Sequence, residues 1–209
     1  NDTEALNLRA SHQMLECFRA YDVRGVIGKT IDEHASHRIG YAAGIVMKAK
    51  SAIVGYDARA TSSKFANSIA LGLNEAGVDV IEIGLCGTEE VYAATVEFKA
   101  DVGLMVTASH NPINYNGIKI IGPLARPLEV DSEFSKIASI ARAPLPIAPH
   151  KSKLGKRRSA SMEARAIYLE KLIEIVKPNN LPAIRVGVDC GHGAVGPTLM
   201  ALSIKLKSK

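Results

Sequence analysis

Apolar positions along this chain follow two alternating periods. Short runs rich in aliphatic and β-branched residues at 51–56, 78–83, 101–107, 118–121 and 183–189 have the length and the bounding turn residues of strands. Segments of helical spacing lie between them. Residues 30–48 put Ile31, Ala35, Ile39 and Ala42 on one face, with Thr30 as the expected cap and Glu33 three residues on. Residues 63–75 follow the polar turn 57–62 and stop at Gly77, where a left-handed cap is expected. Thr88 is expected to cap a helix reaching about Phe98, and 131–141 is a further helix. The last, 161–177, would bury Tyr168, Leu172, Ile175 and Val176 and end at Pro178.

This order predicts an α/β fold: a three-layer α/β/α arrangement around a mixed sheet, with helices on both faces, over residues 17–150. Residues 1–16 read as a polar N-terminal arm and 144–149 as an extended connector. Residues 151–209 read as a linker and the incomplete start of a second, similar α/β domain.

Composition narrows the class of protein. Of 209 residues, 47% are hydrophobic and 22% charged, enough for one full core and part of another. The net charge is +5, concentrated in Lys151, Lys153, Lys156, Arg157 and Arg158. No aromatic residue interleaves them, so they read as a solvated interdomain face, and no nucleic-acid partner is expected. Cys17, Cys86 and Cys190 are odd in number and lack metal-ligand spacing, which fits a reducing cytoplasm better than secretion. No apolar run is long enough to span a bilayer, so no membrane partner is expected either. The opening Asn1-Asp2-Thr3-Glu4 has neither a signal-peptide pattern nor an initiator Met, so the chain is expected to begin after its natural start.

Candidate chemistry concentrates where the 101–107 strand ends, at Val106-Thr107-Ala108-Ser109-His110-Asn111-Pro112. Residues 114–117 are turn formers that would hold this loop before the next strand, and Lys119 follows closely. Three uses of Ser109 compete. A hydrolase pair with His110 is disfavoured, because neighbours in an extended segment point to opposite sides. A phosphoryl carrier would need donors and cations, which His110, Asn111, Lys119 and a metal ion could supply. The third use is the start of a turn, and residue types alone leave that reading ahead.

Other stretches are less specific. Arg19 or Arg24 could clamp an anion, although a surface ion pair with Asp22 is the simpler reading. His34 and His37 have metal-ligand spacing without a third ligand nearby and are expected to be solvated. Gly191-His192-Gly193-Ala194-Val195-Gly196 has dinucleotide-fingerprint spacing, but a tight packing turn is the preferred reading.

The full serine string, Thr107 to Pro112 followed by Asn116-Gly117-Ile118-Lys119, resembles the active-site serine loop of the α-D-phosphohexomutase superfamily, the phosphomannomutases and phosphoglucomutases. Phe18-Arg19-Ala20-Tyr21-Asp22-Val23-Arg24-Gly25 resembles that family's opening loop, and Asp57-Ala58-Arg59 its first β-turn. Gly87-Thr88-Glu89-Glu90 is similar to the bacterial phosphomannomutase version of the segment before the serine strand, and Gly191 to Pro197 to the turn opening the second domain. The resemblance implies a phosphoserine at Ser109 that donates to a hexose phosphate. A hexose 1,6-bisphosphate intermediate then reorients and returns its other phosphate, interconverting mannose 6-phosphate and mannose 1-phosphate.

It further implies Mg²⁺ on the Ser109 phosphate, Lys119 as acid/base, His110 and Asn111 shaping the loop, and Tyr21 and Arg24 lining the substrate site. The Asp-Gly-Asp-x-Asp-Arg metal loop and the later sugar and phosphate loops of the family are missing from this sequence. The expectation is therefore a truncated chain, able to carry phosphate on Ser109 but weak or inactive as a mutase, and prone to self-association through uncovered apolar surface. Phosphoglucomutase activity and a non-catalytic phosphosugar- or partner-binding module are the alternatives.

Overall fold

The computed structural model describes residues 15–143, 153–178 and 184–207. Six strands form one sheet: β1 (Val23–Val26), β2 (Ser51–Tyr56), β3 (Asp79–Leu85), β4 (Val102–Val106), β5 (Tyr115–Ile121) and β6 (Arg157–Ser159). Their order is β1-β5-β4-β2-β3-β6. β2 lies parallel to both β3 and β4, and β6 is parallel to β3. β5 runs antiparallel to β4 and β1. Parallel neighbours require crossovers. Helices α1 (Glu33–Val46), α2 (Ser62–Glu75) and α3 (Thr88–Glu97) follow β1, β2 and β3 in turn, and α4 (Ser135–Arg142), α5 (Ser161–Val176) and α6 (Gly196–Lys207) come later.

Strand alternation sends neighbouring side chains into two cores. Val54, Val80, Leu104 and Ile118 pack with α1, α2 and α4 on one face of the sheet. Ile53, Ile83, Met105 and Ile121 pack with Val91 and Ala94 of α3 and Ala164 of α5 on the other. All five residues of β4 are buried. The expected three-layer α/β/α arrangement with a mixed sheet is therefore present. No helix among the described residues is long and apolar enough to cross a membrane.

Local chemistry moves several predicted boundaries. Asp32 caps α1 in place of Thr30, its Oδ1 accepting from the Ala35 amide at 2.7 Å. Thr30 instead accepts from the Val26 amide at 2.8 Å. Gly87 precedes α3, so Thr88 lies inside the first turn. Gly77 does take the expected left-handed conformation, with φ 79. The predicted 131–141 helix opens with a wide turn at Val130–Phe134 before α4 begins.

Asn116 and Gly117, expected in a turn, lie inside β5. Part of the basic stretch, expected to be a linker, is β6, whose Arg157 bridges Glu82 of β3 at 2.6 Å. The buried face of α5 carries Ala164, Leu169 and Ile173, while Ile175 and Val176 are exposed, contrary to the predicted stripe. Residues 184–190 pair with no strand among the described residues and leave Ile184, Val186 and Val188 exposed, so 184–189 of the predicted 183–189 stretch are not a strand. Most of the N-terminal arm, the 144–149 connector and Lys151 lie outside the described residues.

α1 and α2 touch backbone to backbone at two glycines. A Cβ on Gly40 would meet the Ile69 carbonyl oxygen at 2.3 Å, and one on Gly72 the His37 carbonyl oxygen at 2.0 Å. Gly72→Ala would gain up to about 1 kcal/mol of helix propensity, but it forces apart a packed pair of helices, at a cost of about 1–3 kcal/mol. The clash wins. Gly72→Ala is expected to lower the urea unfolding midpoint, as followed by circular dichroism.

Candidate active site

β4 and β5 are joined by a loop whose shape follows from its own polar groups. The Thr107 amide donates to the Gly117 carbonyl at 3.0 Å and keeps the strand pair closed to the loop's base. Thr107 Oγ1 then accepts from the Ser109 amide at 2.9 Å, and Asn111 N and Tyr115 N donate to the Ala108 and Pro112 carbonyls, each at 3.0 Å. This folding puts Ser109 in a left-handed conformation, φ 53, with its side chain exposed.

The left-handed turn overturns the argument from strand alternation. Ser109 Oγ and His110 Nδ1 are 3.4 Å apart, at the outer limit of a hydrogen bond. The two residues are thus neighbours in space. An extended backbone would have separated them.

Arg59, in the turn after β2, holds the loop from beneath. Its Nη1 donates to the carbonyls of Pro112 (2.8 Å) and Tyr115 (3.1 Å), and its Nη2 to those of Ser109 (3.0 Å) and Asn111 (2.6 Å). Its Nε faces Asp57 Oδ2 at 3.6 Å. Asp57 in turn accepts from the Arg59 amide at 3.0 Å and the Ser62 hydroxyl at 2.6 Å, tying the turn to the start of α2. A planar guanidinium with five donors in a fixed fork suits this role, which an ammonium could not reproduce.

Arg24, on β1, reaches the loop from the other side. Its Nη1 donates to the Ala108 carbonyl at 3.0 Å and to Asn111 Oδ1, while Nη2 pairs with Asp22 at 2.8 Å. Arg24 therefore makes the expected ion pair with Asp22 and also binds the loop. Its Nε is buried with no hydrogen-bond partner among the described residues. Asn116 completes the frame. Its Nδ2 donates to the hydroxyls of Thr61 and Ser62 at 2.9 Å each, and its Oδ1 accepts from the Gly117 amide at 2.8 Å. Gly117 has to be small, since a Cβ would stand 2.2 Å from the Val23 carbonyl oxygen on β1.

Two clefts flank this frame. Ser109 and Asn111 share one of about 540 Å³ with Asp57, Arg59, Ile113 and the 191–194 turn. Tyr21 and Lys119 line a second, of about 380 Å³, with Asp22, Tyr92 and Leu128. In that second cleft burial, and then the nearby Glu89 charge, push the Tyr92 phenol above its ordinary range. Arg24 links the two clefts, pairing with Asp22 of the second and donating to Asn111 of the first. Of the residues singled out from sequence, Ser109, Asn111 and Arg24 are in direct reach of one frame, with His110 beside Ser109. Lys119 and Tyr21 face the neighbouring space.

The sequence marked Asp57 and Arg59 only as part of a polar turn resembling the family's first β-turn, and Asn116 as a turn former, without showing that all three brace the serine loop. An aspartate two residues before an arginine at a strand end is the pattern of a side-chain-closed turn. The histidine pair at 34 and 37 is divided between solvent and a side-chain contact: His34 is exposed, and His37 Nε2 lies 3.0 Å from Glu75 Oε2. Glu90, part of the Gly87-Thr88-Glu89-Glu90 stretch, is buried, accepts from the Thr198 hydroxyl of α6 and lies 3.7 Å from Arg165 of α5. Gly191 and His192 both have positive φ, as a tight turn requires, and α6 starts at Gly196.

A family model described as phosphoglucomutase/phosphomannomutase, alpha/beta/alpha domain I, matches residues 15–144. A phosphomannomutase of Salmonella montevideo is 39% identical over 194 residues, which cover 93% of this chain and 42% of that protein. A protein of Xanthomonas campestris pv. campestris (strain B100) named for phosphohexose mutases is 37% identical over 187 residues, 87% of this chain and 40% of its own. Among solved structures, a phosphoglucomutase/phosphomannomutase family protein from Burkholderia thailandensis superposes with a TM-score of 0.67 at 25% identity, covering 94% of this chain and 42% of that one. The chain thus spans less than half the length of both of these curated relatives.

Removing the Arg59 side chain leaves four loop carbonyls without their charged donor. Arg59→Ala is expected to weaken the loop by about 2 kcal/mol, a roughly 30-fold rise in amide hydrogen exchange over 108–115. Arg59→Lys should recover only a small part of that protection. Unchanged exchange in Arg59→Ala would show that the loop holds its shape unaided.

Proposed function

Because the chain belongs to the phosphoglucomutase/phosphomannomutase family, we propose that Ser109 is a phosphoryl carrier that exchanges phosphate with a hexose phosphate, interconverting mannose 6-phosphate and mannose 1-phosphate. The observation that carries the reading is an exposed serine hydroxyl, held in a left-handed turn by two guanidinium groups, at the mouth of an open cleft. Such a fixed hydroxyl suits a group that must meet a phosphorus atom in line. A turn with no chemical role has no need of that degree of support.

In the proposed step a sugar hydroxyl oxygen bonds to phosphorus as the Ser109 Oγ–P bond breaks, giving a hexose 1,6-bisphosphate. The hydroxyl proton passes to Lys119, and Ser109 Oγ takes a proton from His110, whose Nδ1 lies 3.4 Å away. After the sugar reorients, the reverse step returns its other phosphate to Ser109. Tyr21 and Arg24 are proposed to contact the sugar, and Asn111 the phosphate. One substrate would therefore span both clefts across the Asp22–Arg24 pair.

Magnesium fits this chain's own residues poorly. Among the described residues no group of three His, Cys, Asp or Glu side chains could hold an ion, and Asp57 is committed to Arg59 and Ser62. A phosphate on Ser109 would supply a single oxygen ligand. We propose Mg²⁺ as the family's cofactor on that oxygen and derive no step through it.

A chain incubated with hexose 1,6-bisphosphate and Mg²⁺ is expected to gain one phosphoryl group on the Ser109 peptide, and Ser109→Ala none, by mass spectrometry. Conversion of mannose 1-phosphate should be weak or absent, and glucose 1-phosphate assayed in parallel tests the phosphoglucomutase alternative. Tight sugar-phosphate binding with no phosphate on Ser109 would replace the carrier by a non-catalytic phosphosugar-binding module.

We also propose that the exposed Ile184, Val186, Val188 and Ile204 side chains drive self-association of this chain. Sedimentation velocity is expected to show concentration-dependent dimers or larger species. A monomer at all concentrations would rule this out.

A further inference from the structure

The 191–194 turn enters the site from a part of the chain more than eighty residues beyond Ser109, yet both line the same cleft. Two residues other than glycine that line it have positive φ, Ser109 at 53 and His192 at 60. A left-handed backbone is unfavourable for a residue with a Cβ, and such conformations cluster at functional sites. The His192 turn is pinned by the Gly191 amide donating to Asp189 Oδ1 and the Gly193 amide to the Cys190 carbonyl, both at 2.8 Å. Its imidazole is exposed and has no hydrogen bond or ion pair among the described residues.

A phosphate in this cleft would need more cationic donors than the loop can spare. A phosphoserine carries about −1.5 to −2 charges and three acceptor oxygens. The four Nη hydrogens of Arg59 are directed at carbonyls and its Nε faces Asp57. Arg24 is directed at Ala108, Asn111 and Asp22. Both nearby guanidinium groups are therefore largely committed to the loop itself, and Asp57 adds negative charge. The uncommitted side-chain nitrogen donors lining the cleft are the His192 imidazole and the Asn111 amide, while His110 faces the Ser109 hydroxyl at 3.4 Å. His110 is next to Ser109 on the serine loop, whereas His192 comes from the separate 191–194 turn that lines the same cleft.

We infer that His192 is a phosphate-binding residue of the Ser109 site, donating across the cleft to the phosphorylated serine. The inference rests on the reading of Ser109 as phosphoryl carrier and adds a ligand from the segment beyond residue 183. It also gives the glycine-flanked turn a purpose, since small neighbours let the backbone turn tightly enough to aim one imidazole into the cleft.

The test uses the full chain with phosphoserine installed at position 109 during translation, compared with the same chain carrying His192→Asn. Asparagine tolerates the left-handed backbone but cannot carry the positive charge. The ³¹P resonance of the phosphoserine is followed against pH, with Asp57, Arg59, His110, Asp189 and Cys190 as the other titratable groups around the cleft. Loss of a cation facing the phosphate is expected to raise the titration midpoint by about half a unit, while the unphosphorylated variant keeps its urea unfolding midpoint. An unshifted midpoint, or a shift accompanied by weaker unfolding resistance in the unphosphorylated variant, overturns the inference. Transfer from hexose 1,6-bisphosphate to Ser109 of the unsubstituted chain, measured in parallel, tests the carrier reading separately. Its failure removes that reading and leaves binding of the installed phosphate to be decided by the titration.

Discussion

The guanidinium of Arg59 donates to four carbonyl oxygens of one short loop, and the rest of the site depends on that contact. Backbone carbonyls at the end of a buried strand need partners, and a loop this polar would otherwise take them from water and sample many shapes. Drawing four of them to one planar group selects a single shape. Asp57 is the counterpart that makes this possible, since it holds the guanidinium from behind and closes the turn that carries it. Ser109 is left-handed and exposed because the loop around it has no slack.

The sheet topology explains why Arg59 is available at that place. β2 and β4 are parallel neighbours, so both end at the same edge of the sheet. The turn after β2 therefore lies beside the loop after β4, as is usual for functional loops in α/β folds. β5 then turns back antiparallel and carries Asn116 to the start of α2, while β1 brings Arg24 against the opposite flank. Three separate elements converge on a loop that is itself only a link between two strands.

The same geometry divides the space around the loop. Lys119 and Ser109 are ten residues apart in sequence yet line different clefts, Ser109 in the loop before β5 and Lys119 within β5 itself; Arg24 joins the two regions, bonded to Asn111 of the first cleft and to Asp22 of the second. A buried Arg24 Nε without a partner sits at this junction. An unsatisfied buried donor costs about 1–3 kcal/mol, so Arg24 is held there by its other bonds and not by its own complete solvation.

Patterning of the sequence located the helices and four of the five strands in residues 17–143, because burial on two faces of a sheet demands apolar runs and amphipathic helices; it missed β1, a four-residue strand at the edge of the sheet. The serine string stood out through its resemblance to a family motif, since its residue types alone left an ordinary turn as the favoured reading. Tertiary structure decided the rest. Asn116 and Gly117 look like turn formers, but one is fixed by hydroxyls on α2 and the other by close approach of β1, contacts between residues far apart in sequence. Arg157 and Arg158 look like a solvated charge run until pairing with β3 makes them a strand. The partnership of Arg59 with Ser109 spans fifty positions and cannot be read from the turn that carries Arg59, since a guanidinium's choice of carbonyls depends on which strand ends the sheet brings together.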